Sequence, residues 1–423
     1  MNLYDLAYLT GAGLLAPVWA RKKRDGWPER FGHIDHMLTH ELGNGARVVL
    51  HAVSVGEVSA LRAIVPQLLE HADVIVSTTT DTGLARATSL YGSMCDVVRT
   101  PLDFSWSVRR FLDKTNPDAV GLVELEVWPN LIKQCVKRDI PIGVINGRLS
   151  ERSFKGYMRA RPVLGRSFRK LSFACVQDET YADRFRAMRV SRDLVSVAGS
   201  MKWDAIEVAD GSARSVEAIG LARTLGLDLD RPIVVGGSTA EGEEALLHSA
   251  VSSDVQLVCA PRKPERFDEA ARDMPGCVRR SNLPGTAAGG QNRFLLDSIG
   301  ELSTLYRIAD VAVIGRSFGD LYGSDPTEPA GLGVPVLIGP RYGDFESAVG
   351  LLEDAGGLRV TDREGVGSEI ARLLEDSGER EQMGQRARSC VMAQQGASER
   401  HAGVLLRAAG GSPERAFGLT RGA

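Results

Sequence analysis

Val48-Val49-Leu50-His51-Ala52-Val53-Ser54-Val55-Gly56-Glu57 is the stretch from which the rest of the chain can be read. Its first three residues form a short, valine-rich apolar run, the mark of a strand buried on both faces. From Val58 to Leu69, apolar residues recur at Val58, Leu61, Ile64, Val65 and Leu68, which is helical spacing. Ser54–Glu57 is then a strand-to-helix turn, with Gly56 expected at its tight point. In an open α/β sheet, ligands bind beyond the carboxyl ends of the strands, so Glu57 stands at that edge in the first turn of a helix. A carboxylate there can take a proton from an incoming hydroxyl, or it can only complement the helix N-terminus. Spacing alone leaves both readings open.

The same alternation runs outward in both directions. Further strands are expected at Val74–Ser77, Asp96–Arg99, Ala119–Val123, Pro141–Ile145, Phe173–Val176 and Val195–Val197, with helices between them. This is a doubly wound parallel sheet. Gly199–Asp204 and the polar segment to Ser215 read as a crossing to a second α/β series. Its strands are Ile233–Val235, Val255–Cys259, Arg293–Leu296, Val311–Ile314 and Val334–Ile338. With 423 residues the chain is too long for one core. Expected are a basic-flanked anchor over 1–24, one Rossmann-like domain over 25–205, another over 206–410 and a tail over 411–423, although the last helices can return to the first domain. Two such domains facing a cleft form the GT-B arrangement of glycosyltransferases and nucleotide-sugar epimerases.

Composition excludes some functions. A net charge of −3 gives no global attraction to nucleic acid. Six scattered cysteines without a C-x-x-C read as buried, reduced thiols. His33, His36 and His40 lack the acidic or thiol company of a metal site, and neither metal nor cofactor is expected. Tyr4 to Ala20 is mostly apolar and is followed by Arg21-Lys22-Lys23-Arg24. It is short for a span and Asp5 interrupts it, so it either anchors with its basic side in the cytoplasm or lies in the interface.

Several constellations suggest chemistry. Gly236-Gly237-Ser238-Thr239 and Gly315-Arg316-Ser317-Phe318-Gly319 are expected at strand-to-helix turns, where backbone N–H groups can bind phosphate. Neither is a P-loop, which disfavours an ATPase. Glu328 starts a helix and can accept bonds from ribose hydroxyls. Arg262-Lys263-Pro264-Glu265-Arg266 is a cation-rich loop suited to phosphate or base. Between Arg148 and Lys170, Arg152, Lys155, Arg159, Arg166 and Lys170 can share one helical face. That face either is simply solvated or meets anionic lipid, with Phe154, Tyr157, Met158 and Phe168 placed to enter the bilayer surface.

On these residues the chain resembles the Kdo transferases, which move 3-deoxy-D-manno-octulosonic acid (Kdo) from CMP-Kdo to a lipid A precursor. The resemblance runs through Pro28–Gly32, His51–Glu57, Glu124–Asn130, Asn146–Ser153, Gly199–Asp204, Gly237–Glu244 and Pro261–Phe267. It implies a metal-independent, inverting GT-B enzyme of lipopolysaccharide biosynthesis at the cytoplasmic face of the inner membrane. Glu57 is then the general base, with Ser54, Gly56, Glu124, Glu126, Arg148 and Arg152 positioning acceptor or sugar. Lys202, Gly237, Ser238, Thr239, Arg262, Lys263, Gly315, Arg316, Ser317 and Glu328 form the donor site. The Gly315–Pro329 loop departs from the family pattern at Arg316, Tyr322, Ser324 and Asp325, and Lys263 stands where His is common. A GT-B epimerase or hydrolase, or a degenerate paralogue that uses another donor or only binds lipid, are the alternatives.

Overall fold

The computed structural model describes residues 25–40, 43, 45–209, 215–282 and 290–410, together with 4–6, 8 and 10. Most of the expected anchor and the whole 411–423 tail lie outside the described residues. Among the described residues, no helix is long and apolar enough to cross a membrane. The chain divides into two compact units, residues 1–205 with 395–423, and residues 206–394.

The first unit holds β1 (Ala46–His51), β2 (Ala72–Thr78), β3 (Asp96–Arg99), β4 (Ala119–Val123), β5 (Ile142–Gly147), β6 (Phe173–Val176) and β7 (Val195–Val197). They form one sheet in the order β3-β2-β1-β4-β5-β6-β7, with every pairing parallel. Side chains of β1 alternate between its two covered faces: Val49 enters one core, and Val48 and Leu50 enter the other. This is why the run is apolar without alternation. Chain order reverses between β1 and β4, so the crevice at their carboxyl ends is the topological switch point of this sheet.

The second unit repeats the plan with β8 (Ile233–Thr239), β9 (Gln256–Pro261), β10 (Val278–Arg279), β11 (Arg293–Leu295), β12 (Val311–Ile314), β13 (Val336–Ile338) and β14 (Leu358–Val360). Their order is β10-β11-β9-β8-β12-β13-β14, with the switch point between β8 and β12. The two edge strands, β10 and β14, were not expected from sequence; two or three residues each, they carry no apolar run to announce them. β8 is longer than expected and takes in Gly236 to Thr239, so the Gly pair is strand, not turn. A Cβ on Gly237 would lie 1.8 Å from the Tyr306 hydroxyl; the glycine is there to let that phenol in.

The boundary of the second domain also changes. Residues 395–410 belong to the first unit, and the final helix, Ala397–Ala408, buries Ala402, Leu405 and Leu406 in the core that holds Val48 and Leu50. Asp204 starts that helix from a distance. Its carboxylate accepts from the Gly396 N–H at 2.6 Å and the Ser398 N–H at 2.5 Å, while the Arg400 Nε donates to the Ala198 carbonyl at 2.8 Å. The Gly199–Asp204 motif is thus a clasp for the returning helix. Asp204→Ala is expected to destabilise the first unit by about 1–2 kcal/mol, as lost N-caps do, with amide exchange rising first over 397–408. Denaturant melting with exchange mass spectrometry reads both; an unchanged midpoint would contradict the clasp.

Candidate active site

Glu57 sits where β1 hands over to the helix Val55–Ala60. Ser54 is the N-cap, and its Oγ accepts from the Glu57 N–H at 3.4 Å. Ser54 Oγ–H donates to Glu57 Oε1 and the Val53 N–H donates to Oε2, both at 2.8 Å. This is a capping box shifted by one residue, and it fixes both carboxylate oxygens while leaving each a further lone pair. Burial raises the Glu57 pKa above the usual glutamate value; the Val53 and Ser54 bonds oppose the rise and the Glu124 charge adds to it. The turn does not need its glycine. Gly56 lies inside the helix at an ordinary φ, and a Cβ there would meet only Ser54 Oγ at 3.8 Å. The extended backbone of Ser54 (φ −112°, ψ 165°) makes the corner instead.

Across the switch point, β4 ends in Glu124, Leu125 and Glu126. Glu124 adopts φ +59°, a left-handed conformation that costs energy in a residue with a Cβ and clusters at functional sites. Its carboxylate stands 3.8 Å from Lys202 Nζ. Lys202, which the sequence grouped with the donor residues, thus stands in the first unit beside this acidic group. Glu126 is pushed up to about 7, first by burial and then by the charge of Glu57. Glu57, Glu124 and Glu126 are thus within electrostatic reach of one another.

Beneath them lies a residue that received no role from the sequence. His51 is 1% exposed, and burial lowers its pKa to about 4, so the ring is neutral. The Trp128 indole Nε1–H donates to His51 Nε2 at 3.1 Å. The Nδ1–H can then donate to Thr100 Oγ1 at 2.9 Å, and that hydroxyl in turn shares a 2.5 Å bond with Ser77 Oγ. The only signal available was a histidine ending an otherwise apolar strand.

An open pocket of about 390 Å³ adjoins the acidic group, lined by Glu124, Leu125, Glu126, Arg148, Ser150, Ser153 and Tyr157. Arg152 is exposed on the helix Glu151–Phe168 but is not among the lining residues. Arg159, Arg166 and Lys170 are exposed too, and Lys155 pairs with Glu151 at 2.6 Å. The aromatic residues expected to reach a bilayer are otherwise engaged: Phe154 and Tyr157 pack on the core and Phe168 is fully buried, leaving Met158 outside.

In the second unit, three of the amides expected to bind phosphate, those of Arg316, Ser317 and Phe318, are already occupied. The Glu243 carboxylate, 2% exposed, accepts from four backbone N–H groups: Arg316 at 2.7 Å, Ala240 at 2.8 Å, Ser317 at 2.9 Å and Phe318 at 3.0 Å. A side chain of the protein itself fills the nest. Thr239 Oγ1 donates to buried Glu244 at 2.7 Å, which also takes both arms of Arg266. Ser317 Oγ donates to the Ile314 carbonyl at 2.6 Å and accepts the Gly339 N–H at 2.8 Å. Gly315 is held against β8, where a Cβ would lie 2.5 Å from Thr239 Cα. Gly237, Thr239, Gly315 and Ser317 are thus engaged in packing and hydrogen bonds within the second unit.

What faces outward at the ends of β8, β9 and β12 is Ser238 and Arg316, both half-buried, with exposed Arg262, Lys263 and Glu328. The Arg262 N–H donates to the Thr239 carbonyl at 3.0 Å. The Tyr306 phenol lies against Gly237, and its pKa is raised by burial and then by the charges of Glu328 and Asp325. In the loop that departs from the family pattern, Asp325 Oδ1 accepts from the Thr327 N–H at 2.9 Å and its hydroxyl at 2.6 Å, and so holds the turn that presents Glu328.

Comparisons with known proteins identify the family and the fold. The family model of 3-deoxy-D-manno-octulosonic-acid transferase (kdotransferase) matches residues 25–205. The 3-deoxy-D-manno-octulosonic acid transferase of Bordetella pertussis is 31% identical over 411 residues, covering 90% of this chain and 93% of its own. That of Haemophilus influenzae is 30% identical over 370 residues, covering 84% and 85%. Among solved structures, the UDP-N-acetylglucosamine 2-epimerase of Neisseria meningitidis bound to UDP-GlcNAc is 14% identical, covers 82% of this chain and 98% of its own, and aligns with a TM-score of 0.54. Another UDP-N-acetylglucosamine 2-epimerase covers 88% and 97% at 16% identity and a TM-score of 0.57. These likenesses are in fold, the GT-B class, while the sequence relationship carries the family: the chain belongs to the 3-deoxy-D-manno-octulosonic acid transferases and is a glycosyltransferase.

Proposed function

We propose that the protein transfers Kdo from CMP-Kdo to a lipid A precursor, lipid IVA or a close relative, in lipopolysaccharide core biosynthesis. The observation that carries the mechanism is the Glu57 carboxylate, clamped by Val53 and Ser54 at the switch point beside Glu124 and Glu126. An acceptor hydroxyl in the adjoining pocket gives its proton to Glu57. Its oxygen attacks the anomeric carbon of Kdo, the bond from that carbon to the CMP phosphate oxygen breaks, and configuration inverts. A base of raised pKa suits this step, because proton transfer is most effective when the base titrates near the working pH. Glu124 and Glu126 position the reacting sugars. No metal is required: Arg316, Arg262 and Lys263 meet the charge that builds on the leaving phosphate.

The acceptor is a lipid, so the reaction takes place at the cytoplasmic face of the inner membrane. What supports this is the exposed basic series Arg152, Arg159, Arg166 and Lys170 and the apolar run ending in Arg21-Lys22-Lys23-Arg24, which together suit an anionic lipid surface. Nucleic acid has no part in it.

Two variants test the two halves of the site. Glu57→Gln keeps the hydrogen-bonding shape but removes the base. Transfer is expected to fall by at least about 10²-fold with CMP binding intact; radiolabelled transfer within a few-fold of wild type would reject Glu57. Arg316 has φ +59°, so Arg316→Gly suits the backbone and isolates the lost cation. CMP binding by calorimetry is expected to weaken by about 1.5–3 kcal/mol, the range for a hydrogen bond to a charged group. Equal CMP affinity would remove Arg316 from the donor site, and absence of CMP binding by wild type at millimolar concentration would reject CMP-Kdo as donor.

A further inference from the structure

The N-terminal segment makes contacts that a tether does not need. Asp5 is 0% exposed. Its Oδ1 accepts from the Ser105 N–H at 2.8 Å and from Asn130 Nδ2 at 3.2 Å, and its Oδ2 accepts from Ser105 Oγ at 2.7 Å. Ser105 opens the helix Ser105–Thr115, whose own N-cap residue, Phe104, supplies no side-chain acceptor. Asp5 thus caps a helix that begins a hundred residues further along. One turn on, the Tyr8 hydroxyl donates to Asp103 Oδ2 at 3.1 Å, and its ring meets Phe104 edge-on with centroids 6.1 Å apart.

Asp103 is in turn the cap of a second helix. Its Oδ2 accepts from the Asn130 N–H at 2.9 Å and its Oδ1 from the Leu131 N–H at 2.8 Å, at the start of Pro129–Val136. Asn130, also 0% exposed, donates through Nδ2 to the Asp103 carbonyl at 2.6 Å. Two helix starts are therefore locked to each other through Asp103 and Asn130, and Asp5 and Tyr8 close the lock from outside. The helix Pro129–Val136 follows directly on Glu124–Trp128. The near end of that loop is fixed by β4, where Glu124 N–H donates to the Ile145 carbonyl at 3.0 Å. Its far end is fixed by this lock.

We propose that Asp5, assisted by Tyr8, is a positioning residue for the reaction: the N-terminal segment seats the loop that carries Glu124, Glu126 and Trp128, and is part of the acceptor-side machinery as well as a route to the membrane. A buried carboxylate is costly unless fully paired, and here its partners are the two helix starts that set the loop. Loss of Asp5 leaves the Ser105 N–H and one Asn130 amide hydrogen without that acceptor and loosens the far end of the loop, which then rests on Asp103. The functional half of this proposal rests on the transfer reaction proposed above.

The test uses full-length enzyme with the acceptor dispersed in detergent, so that delivery to a membrane no longer matters. Asp5→Ala is expected to lower kcat by roughly ten- to a hundredfold, as small misplacements of reacting groups do, with the donor KM unchanged. Asp5→Asn, which keeps one acceptor oxygen, is expected to recover part of the loss. Hydrogen exchange is expected to rise at Ser105, Asn130 and Leu131 and to stay unchanged in residues 215–282. A wild-type kcat for Asp5→Ala in detergent, or unchanged exchange at Ser105, would overturn the proposal. If Asp5→Ala does not fold, Tyr8→Phe decides: a lower kcat at an unchanged melting temperature supports the proposal, and a wild-type kcat overturns it. Should wild type fail to transfer from CMP-Kdo at all, the reaction assignment falls, and the exchange data alone then judge whether the N-terminus holds the loop.

Discussion

Three carboxylates brought to one crevice govern the first unit. Glu57 arrives on the helix after β1, and Glu124 and Glu126 arrive on the loop after β4. The strands are neighbours only because the chain order reverses between them, so the doubly wound topology itself creates the acidic group. Like charges in partial burial repel: the Glu124 charge adds to the rise that burial causes at Glu57, and the Glu57 and Glu124 charges add to that at Glu126. The protein withstands this repulsion by restraining its members and their surroundings. Ser54 and Val53 clamp Glu57, Lys202 stands near Glu124, and the neutral His51–Trp128 pair underlies the loop.

The same device recurs away from the chemistry: a carboxylate remote in sequence accepts from the free N–H groups at a helix start or turn. Asp5 does so for Ser105, Asp103 for Asn130 and Leu131, and Asp204 for Gly396 and Ser398. Glu243 fills the nest at Arg316–Phe318. Arg30, the basic residue of the Pro28–Gly32 motif, plays the reverse part, donating to the Thr79 carbonyl and to Asp81, each at 3.1 Å. Many motif residues that look like ligand contacts therefore build the loops around the site. The reaction proposed above then relies on fewer side chains, chiefly Glu57, Glu124 and Glu126 in one unit and Arg262, Lys263, Arg316 and Glu328 in the other.

This distinction also marks what could be read from sequence. Parallel strands announce themselves as short apolar runs, and Glu57 could be placed because Ser54-x-x-Glu57 directly follows one. Pairing over long separations leaves no local trace. Glu243 looks like any acid in a first helical turn, and nothing nearby predicts that Arg316–Phe318 will close over it. Gly237 looked like a turn because glycine punctuates turns, but it answers to Tyr306, distant in sequence. Gly56 invited the same inference and needs no special conformation at all. Asp5 looked like an interruption in an apolar segment, and its partners at 105 and 130 could come only from the fold.

The central claim is that burial, with the Glu124 charge adding to it, sets Glu57 as a base of raised pKa. It is tested most directly by the pH dependence of kcat/KM in wild type and Glu124→Gln. A base must be ionised, so activity falls as pH drops through its pKa, and the Glu124 charge is one of the causes holding that pKa up. The acidic limb is predicted to lie above the ordinary glutamate range in wild type and to move to lower pH in Glu124→Gln. A limb at the ordinary glutamate value that does not move between the two enzymes would contradict the account.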